Sequence, residues 1–290
     1  MWAYLLYLFK KFVHYNLRSY LKKSRRRLKN TFLKKDTPKT SLADIKVLLL
    51  SDFGIEKGDS LIISSSFGNL NASYTPKNLI LLLQEIVGPE GNIVMPFYPP
   101  GDSIEWAKSG KVFDMRTTPS SMGVVTQVLS EMPDVYKSKH PTKAVVAWGQ
   151  NAQEIVAGHE NSTTPFYWDS PYGWLLKNPS KSLGLGCLNI PIFHAIEDVL
   201  LKKEKWIYFN HKHSLKLKDY DGTVKNLKVY IHDPDKTLHL TGGGDYIIAL
   251  NPPSYLRIKF GYSVCYIVNI QRLHEAGIHA FNTGRFRCET

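Results

Sequence analysis

The chain has 290 residues, of which 43% are hydrophobic, enough to bury a full core in one large domain or two small ones. Its three cysteines lie far apart and are odd in number, which argues against a disulfide-stapled secreted fold and favours free thiols in a reducing compartment. The formal net charge of +12 would favour nucleic-acid binding if it were spread over the folded body.

The excess charge instead lies in the first 35 residues. They contain eleven Lys and Arg and no acidic residue, which leaves 26 of the 37 basic residues to set against all 25 acidic ones. Nucleic-acid binding by the rest of the chain is therefore not expected.

Residues 1–36 have the pattern of a basic amphipathic helix, with apolar residues on one face and basic residues away from it. The apolar run at its start is too short to span a bilayer, which takes about 20 residues. We expect this segment to bind an anionic membrane surface, and residues 37–290 to form the folded domain. The expected location is the cytoplasm, peripheral to the inner face of the membrane. The alternatives are a contact with a partner or with nucleic acid, and a solvated disordered arm.

The folded domain begins with alternating helices and strands. Ser41 is the expected N-cap of a short amphipathic helix, and a buried strand at residues 61–63 runs into three serines. A helix around residues 77–87, a GPEG turn and the apolar strand NIVMPFYP follow. A strand, a helix and a strand at this spacing predict a βαβ unit.

The same pattern continues with a helix at residues 122–132, the strand KAVVAWG, a short helix from Asn151 and the strand KSLGLGC. From Lys205 onward the runs become shorter and alternate, as in antiparallel strands. The sequence therefore predicts an α/β fold with a mostly parallel central sheet flanked by helices, and with added antiparallel strands toward the C-terminus.

Three polar clusters follow predicted strands, and open α/β sheets bind ligands beyond the carboxyl ends of their strands. One is SSSFG, and another is TTPSSMG at residues 117–123. The second opens a helix, where free N–H groups hold phosphate oxygens, although Ser and Thr also cap ordinary helices. The third cluster, IPIFHAIED, places His194 and Glu197 three positions apart and so on one side of a helix. This histidine is either a core residue or a base held by its orienting acid.

A metal site is not expected. HKH at residues 211–213 offers two imidazoles on one strand face, but the pattern supplies no third ligand.

Six segments resemble, in order and in approximate spacing, the aminoglycoside 3-N-acetyltransferase family, which is distinct from the GNAT acetyltransferases. The likeness covers about residues 41–200. The segments are LIISSSFGNL, LLLQEIVGPEGNIVMPFY, FDMRTTPSSMGVVTQVL, SKHPTKAVVAWGQNAQEIVAGH, DSPYGWLL and LGLGCLNIPIFHAIE.

The resemblance implies transfer of an acetyl group from acetyl-coenzyme A to an amine on a sugar. It implies that His194 is the general base and Glu197 its partner, and it places His140 and Asp169 on the substrate side. The cofactor-binding residues that it implies are Ser64, Ser65, Ser66, Thr117, Thr118, Ser120, Ser121, Met122 and Gly123.

The sequence departs from the family pattern in four respects. Ser64 and Lys143 stand where the family usually has histidines. Beyond about residue 200 there is no clear match, including to the acidic segment that helps to form the aminoglycoside pocket, and the basic N-terminal segment is not part of the common pattern. The acceptor could therefore be an amino sugar of surface-polysaccharide assembly instead of an aminoglycoside. The alternative to an enzyme is a non-catalytic, membrane-associated scaffold that has kept the fold. The oligomeric state is not indicated.

Overall fold

The computed structural model describes residues 37–200, 208–233 and 254–283. The chain divides into two units, Met1–Lys39 and Thr40–Thr290, and the fold below is that of the second. The predicted amphipathic segment, residues 1–36, lies outside the described residues. None of the described helices is long and apolar enough to cross a membrane.

A seven-stranded sheet forms the centre of the fold, in the order β4-β5-β2-β1-β6-β10-β9. The three central strands, β2, β1 and β6, pair in parallel, and the outer strands pair antiparallel. The strands are β1 (Ser60–Ser65), β2 (Asn92–Phe97), β3 (Val112–Asp114), β4 (Val135–Lys137), β5 (Ala144–Gly149), β6 (Lys181–Leu185), β7 (His213–Lys218), β8 (Val224–Val229), β9 (Tyr255–Phe260) and β10 (Ser263–Asn269).

The expected α/β architecture is confirmed, with one difference in strand direction. Parallel pairing is confined to the centre of the sheet. The antiparallel strands lie on both sides of this centre, because β5 runs antiparallel to β2 and β4 to β5. Strand β1 also extends to Ser65, so the first two serines of its polar cluster belong to the strand.

Helices cover both faces of the sheet. Successive residues of a strand point to opposite faces, so Leu61 and Ile63 enter one buried cluster and Ile62 enters the other. The helices are α1 (Leu42–Val47), α2 (Pro76–Val87), α3 (Ser103–Lys108), α4 (Val124–Ser130), α5 (Ala152–Val156), α6 (Pro171–Lys177), α7 (Phe193–Leu200) and α8 (Ile270–Asn282).

Local capping fixes where several helices begin. Ser41 caps α1 in a capping box with Asp44, as the sequence predicts, and Thr75 forms the same arrangement with Asn78 at the start of α2. Ser170 caps α6, and proline occupies the first position of both α2 and α6.

Strands β3, β7 and β8 form a separate three-stranded sheet. Strand β3 pairs in parallel with β7 although about 100 residues separate them in the chain. His213, from the HKH motif, begins β7. The part of the chain that the structure describes contains no group of three or more side chains that could hold a metal ion.

Candidate active site

Two of the predicted polar clusters meet at the carboxyl ends of β1 and β6. In these parallel neighbours Ser64 pairs with Gly184 and Ser65 with Leu185. The N–H of Ser66 then donates to the carbonyl of Leu185 at 2.8 Å. The chain that leaves β6 leads directly into α7, which carries His194.

Close backbone packing holds the segment of residues 64–66, the serine segment. A Cβ atom added at Gly186 would lie 2.8 Å from the Ser66 carbonyl oxygen, and Gly186 has a φ of +72°. The Ser65 hydroxyl is buried and has no hydrogen-bond partner among the described residues. A buried hydroxyl without a partner costs free energy, so this atom is suited to meet a ligand.

The loop of residues 117–123, the hydroxyl loop, lies against the serine segment. A Cβ atom at Gly123 would approach the Ser65 carbonyl oxygen to 3.3 Å, and the φ of Gly123 is +103°, which favours glycine. Helix α4 begins directly after Gly123 with no side-chain cap on its N–H groups.

Three hydroxyls of this loop are used within the protein. Thr118 accepts the Asp114 N–H at 2.8 Å, Ser120 accepts the Met122 N–H at 3.1 Å, and Ser121 donates to the carbonyls of Tyr98 and Pro99, each at 3.1 Å. These hydroxyls shape the loop and attach it to the end of β2. Most backbone N–H groups of the loop are also bonded within the protein, because those of Thr117 and Thr118 donate to Asp114, that of Ser120 to Gln127 and that of Ser121 to Tyr98. The assignment of the loop residues to cofactor binding stays a prediction.

His194 and Glu197 form the hydrogen-bonded pair that their spacing predicts. The distance from His194 Nδ1 to Glu197 Oε2 is 3.0 Å, and the Glu197 side chain is only 10% exposed whereas that of His194 is 35% exposed. Because the Glu197 carboxylate accepts a hydrogen bond from Nδ1–H, Nε2 keeps a lone pair. The structure therefore holds an imidazole whose second nitrogen can accept a proton.

The imidazole of His194 belongs to an aromatic cluster with Phe166, Tyr172 and His232. The ring centroid of Phe166 lies 4.6 Å from that of Tyr172 and 5.2 Å from those of His194 and His232, and the two histidine rings are 4.8 Å apart. Phe166 is fully buried. Phe166 therefore packs against one side of the His194 ring, and the rest of this half-exposed ring is open to a ligand.

Asp198, which follows Glu197, anchors the same helix. It accepts hydrogen bonds from the hydroxyls of Thr164 and Tyr208, the latter at 2.6 Å. Burial raises the pKa of Asp198 to about 7, against the partial opposing effect of these hydrogen bonds.

His140 lies in a buried pair of stacked imidazoles. Its Nδ1 accepts the backbone N–H groups of Thr142 at 3.3 Å and Lys143 at 3.0 Å, and its ring centroid is 4.7 Å from that of His159. His159 Nε2 donates to the Pro165 carbonyl at 3.0 Å, so its Nδ1 accepts the Ser138 hydroxyl at 2.8 Å. Burial lowers the pKa of both rings, which are therefore neutral.

Asp169 is exposed, and its carboxylate accepts the N–H and the hydroxyl of Thr163. The hydrogen bonds described for His140 and Asp169 are thus made to other residues of this protein. Their assignment to substrate binding stays a prediction.

A family model, described as aminoglycoside 3-N-acetyltransferase, matches residues 62–282 of this chain. The chain belongs to the aminoglycoside 3-N-acetyltransferase family. The match extends well beyond residue 200, where the motifs quoted from the sequence end, and includes β7 to β10 and α8. Family membership therefore covers the whole of the central sheet.

Two curated members of the aminoglycoside 3-N-acetyltransferase family align with part of this chain. The YokD protein of Bacillus subtilis, described as an SPbeta prophage-derived aminoglycoside N(3')-acetyltransferase-like protein, is 26% identical over 141 residues, which are 42% of this chain and 50% of YokD. The aminoglycoside N(3)-acetyltransferase IV of a Salmonella species is 32% identical over 111 residues, which are 37% of this chain and 40% of that enzyme. The chain thus spans half or less of the length of these relatives.

The structure of AAC-IIIb with CoASH matches the fold with a TM-score of 0.69 at 16% identity. The alignment covers 87% of this chain and all of AAC-IIIb. At this identity the likeness shows the fold alone.

Several residues of the site cannot be recognised from local sequence patterns. Phe166 and His232 reach His194 from different parts of the chain, whereas Asp198 lies on the same helix and anchors it. Each is an ordinary core or surface residue when its neighbours in sequence are considered alone. Lys143 is noticeable in the sequence only as a departure from the family pattern. Its position beside the site becomes visible in the fold.

Proposed function

We propose that this protein is an acetyl-coenzyme A-dependent N-acetyltransferase. Its acceptor is an amine on a sugar, either an aminoglycoside or a precursor of a surface polysaccharide. The observation that carries this proposal is the 3.0 Å pair of His194 and Glu197, on the helix that follows β6, the strand that pairs with the serine segment. Membership of the family and the coenzyme A complex of the structural relative AAC-IIIb support the choice of donor.

The reaction needs a base because a sugar amine is largely ammonium at pH 7 and cannot attack until it loses a proton. In our proposal Nε2 of His194 removes this proton. Glu197 keeps the imidazole in the correct tautomer and stabilises the imidazolium that forms. The buried ring of Phe166, which packs against His194, helps to hold the orientation of the base.

The residues at the sheet edge fit an acyl-coenzyme A ligand. Acetyl-coenzyme A supplies an acetyl group that is already activated as a thioester. The unpartnered Ser65 hydroxyl and the uncapped N–H groups after Gly123 are donors suited to its polar oxygens. The serine segment and the hydroxyl loop are therefore the residues that would hold it.

The test is thiol release from acetyl-coenzyme A by the full chain, measured against a panel of aminoglycosides and nucleotide-linked amino sugars. We expect His194→Ala to lower kcat by a factor of about 100 or more, as for the loss of a general base, with little change in the KM for acetyl-coenzyme A. His279→Ala, which removes an exposed histidine at the far end of α8, is the matched control and should retain full activity.

A folded protein that releases no thiol with any acceptor, and whose Tm is not shifted by acetyl-coenzyme A, would instead support the non-catalytic scaffold. Equal turnover by His194→Ala and the parent protein would also refute the proposed role of the imidazole.

We also propose that residues 1–35 bind an anionic membrane surface. This rests on the sequence alone, with eleven basic residues and no acidic one. Each Lys or Arg near the headgroups contributes about 1 kcal/mol of binding. Deletion of the segment should abolish co-sedimentation with anionic vesicles and leave turnover of a soluble acceptor unchanged, with vesicles of neutral lipid as the control. Continued binding of the truncated protein to anionic vesicles would contradict this proposal.

A further inference from the structure

Lys143 places a positive charge beside the candidate active site, where the Asp102 carboxylate is the acid whose charge acts on it. It directly precedes β5 and is half-buried, and its Nζ lies 4.4 Å from the ring centroid of Tyr98. The ion pairs recorded within residues 37–200, 208–233 and 254–283 do not include Lys143. Burial lowers its pKa to about 8, which still leaves the ammonium mostly charged at pH 7.

The phenol groups of Tyr98 and Tyr172 connect this ammonium to the aromatic cluster. Their hydroxyl oxygens are 2.8 Å apart, and the Tyr172 ring packs on Phe166, which in turn packs on His194. Lys143 and the proposed base therefore contact the same row of aromatic side chains, Lys143 at Tyr98 and His194 at Phe166. In this inference a sugar bound at His194 extends along the row toward Lys143.

His232 also has a ring nitrogen that makes no hydrogen bond to the described residues. Its Nε2 is buried and makes no hydrogen bond in the described part of the protein, and its ring lies 4.8 Å from that of His194. Desolvation, and then the charges of His194 and Lys143, lower its pKa well below the usual range for histidine. The positive charge of Lys143 is thus close enough to be felt at His232.

Lys143, the two tyrosine hydroxyls and His232 together favour a ligand that carries a negative charge. An ammonium has only donors, and the Tyr hydroxyls and the His232 ring can each donate as well. A carboxylate or phosphate oxygen would neutralise Lys143 and could give His232 Nε2 a partner. A polycationic acceptor would instead bring another ammonium toward Lys143, which is unfavourable in a partly desolvated site.

We propose that the acceptor carries a carboxylate or a phosphate group in addition to its amine, and that Lys143 binds this anionic group next to His232. The acceptor class is then an acidic amino sugar, such as an amino uronate or an amino sugar phosphate. The inference rests on the proposed acetyl transfer, because it describes the second substrate of that reaction.

The first experiment measures binding without turnover. Glucuronate and glucose 6-phosphate have no amine, so they report on the anion site alone, and coenzyme A is added in excess to fill the donor side. We expect both to raise the Tm of the full chain, and we expect Lys143→Met to abolish the shift while Lys143→Arg retains part of it. Lys77→Met, which removes an exposed lysine of α2, should behave as the parent protein. A shift that is equal in the parent and in Lys143→Met would overturn the proposal.

The second experiment measures acetylation of matched acceptors. The kcat/KM for glucosamine 6-phosphate should exceed that for glucosamine by about tenfold or more, the effect of one charge-assisted hydrogen bond. Lys143→Met should lose most of this preference through a higher KM. A higher kcat/KM for glucosamine or for a polyamine antibiotic would overturn the proposal. Lys143-dependent anion binding without acetylation of any acceptor would refute the proposed reaction and with it the acceptor, but it would support the anion site.

Discussion

Asp198 performs a different task from the neighbouring Glu197 on the same helix. Glu197 faces His194, whereas Asp198 holds Thr164 and Tyr208, which come from loops on either side of α7 in sequence. Asp198 thus fixes the helix to two residues outside it, whereas Glu197 orients a side chain of the same helix. The position of the proposed base therefore depends on both residues, although only Glu197 is in contact with it.

Substitution of Asp198 separates its hydrogen-bonding role from its charge. In Asp198→Asn the amide oxygen can accept both hydroxyls and no buried carboxyl group remains to be ionised, so we expect the free energy of unfolding at pH 7 not to fall. Asp198→Ala removes the acceptor that the buried hydroxyls of Thr164 and Tyr208 share and should cost about 2–4 kcal/mol relative to Asp198→Asn. Urea unfolding of the two variants measures this difference, and equal stabilities would show that the two hydroxyls do not depend on Asp198.

At the scale of the elements, the sequence predicts what local interactions determine. Helix α2 was expected at residues 77–87 and occupies Pro76–Val87, because its capping residues Thr75 and Asn78 are neighbours in the chain. Helix α7 places His194 beside Glu197 for the same reason, since an offset of three residues is a local property.

Strand direction and the convergence of loops are not local properties. An apolar run such as that of β5 has the same pattern in a parallel and an antiparallel strand, so its antiparallel pairing with β2 could not be read from the sequence. Phe166 and His232 lie on either side of α7 in sequence and reach His194 through the packing of the sheet with its loops. The His194–Glu197 pair was therefore predictable, and the aromatic cluster around it was not.

The same limit applies to Lys143. Its sequence position marked it as unusual for the family, but whether its charge is neutralised depends on which carboxylates the fold brings near it. The fold places it against Tyr98 at the end of β2, a contact that follows from the pairing of β2 with β5.

For the molecule as a whole, three buried imidazoles couple stability to pH. Burial lowers the pKa of His140, His159 and His232, to about 4 for His159, from the ordinary value of 6.5. Above pH 6.5 these rings are neutral in both the folded and the unfolded state. As the pH falls below 6.5 the unfolded chain takes up protons that the folded protein cannot, so the folded state loses stability.

Asp198 acts in the opposite direction. Its folded pKa of about 7 lies above its ordinary value of 3.8, so between these pH values the folded protein holds a proton that the unfolded chain releases. Its contribution therefore favours the folded state as the pH falls. Three imidazoles outweigh one carboxyl, because each fully shifted group changes the free energy of unfolding by about 1.4 kcal/mol per pH unit.

We therefore expect the free energy of unfolding to fall by about 2 kcal/mol per pH unit near pH 5.5. Asp198→Asn removes the opposing contribution, so its stability should fall more steeply, by about 1.4 kcal/mol per pH unit beyond that of the parent protein. Urea unfolding between pH 7 and pH 4.5, which lies within the range set by these pKa values, measures both slopes. A stability that rises as the pH falls through 6 would mean that the imidazoles accept protons in the folded state, which the hydrogen bonds of His140 and His159 do not permit without the loss of the Lys143 and Ser138 contacts.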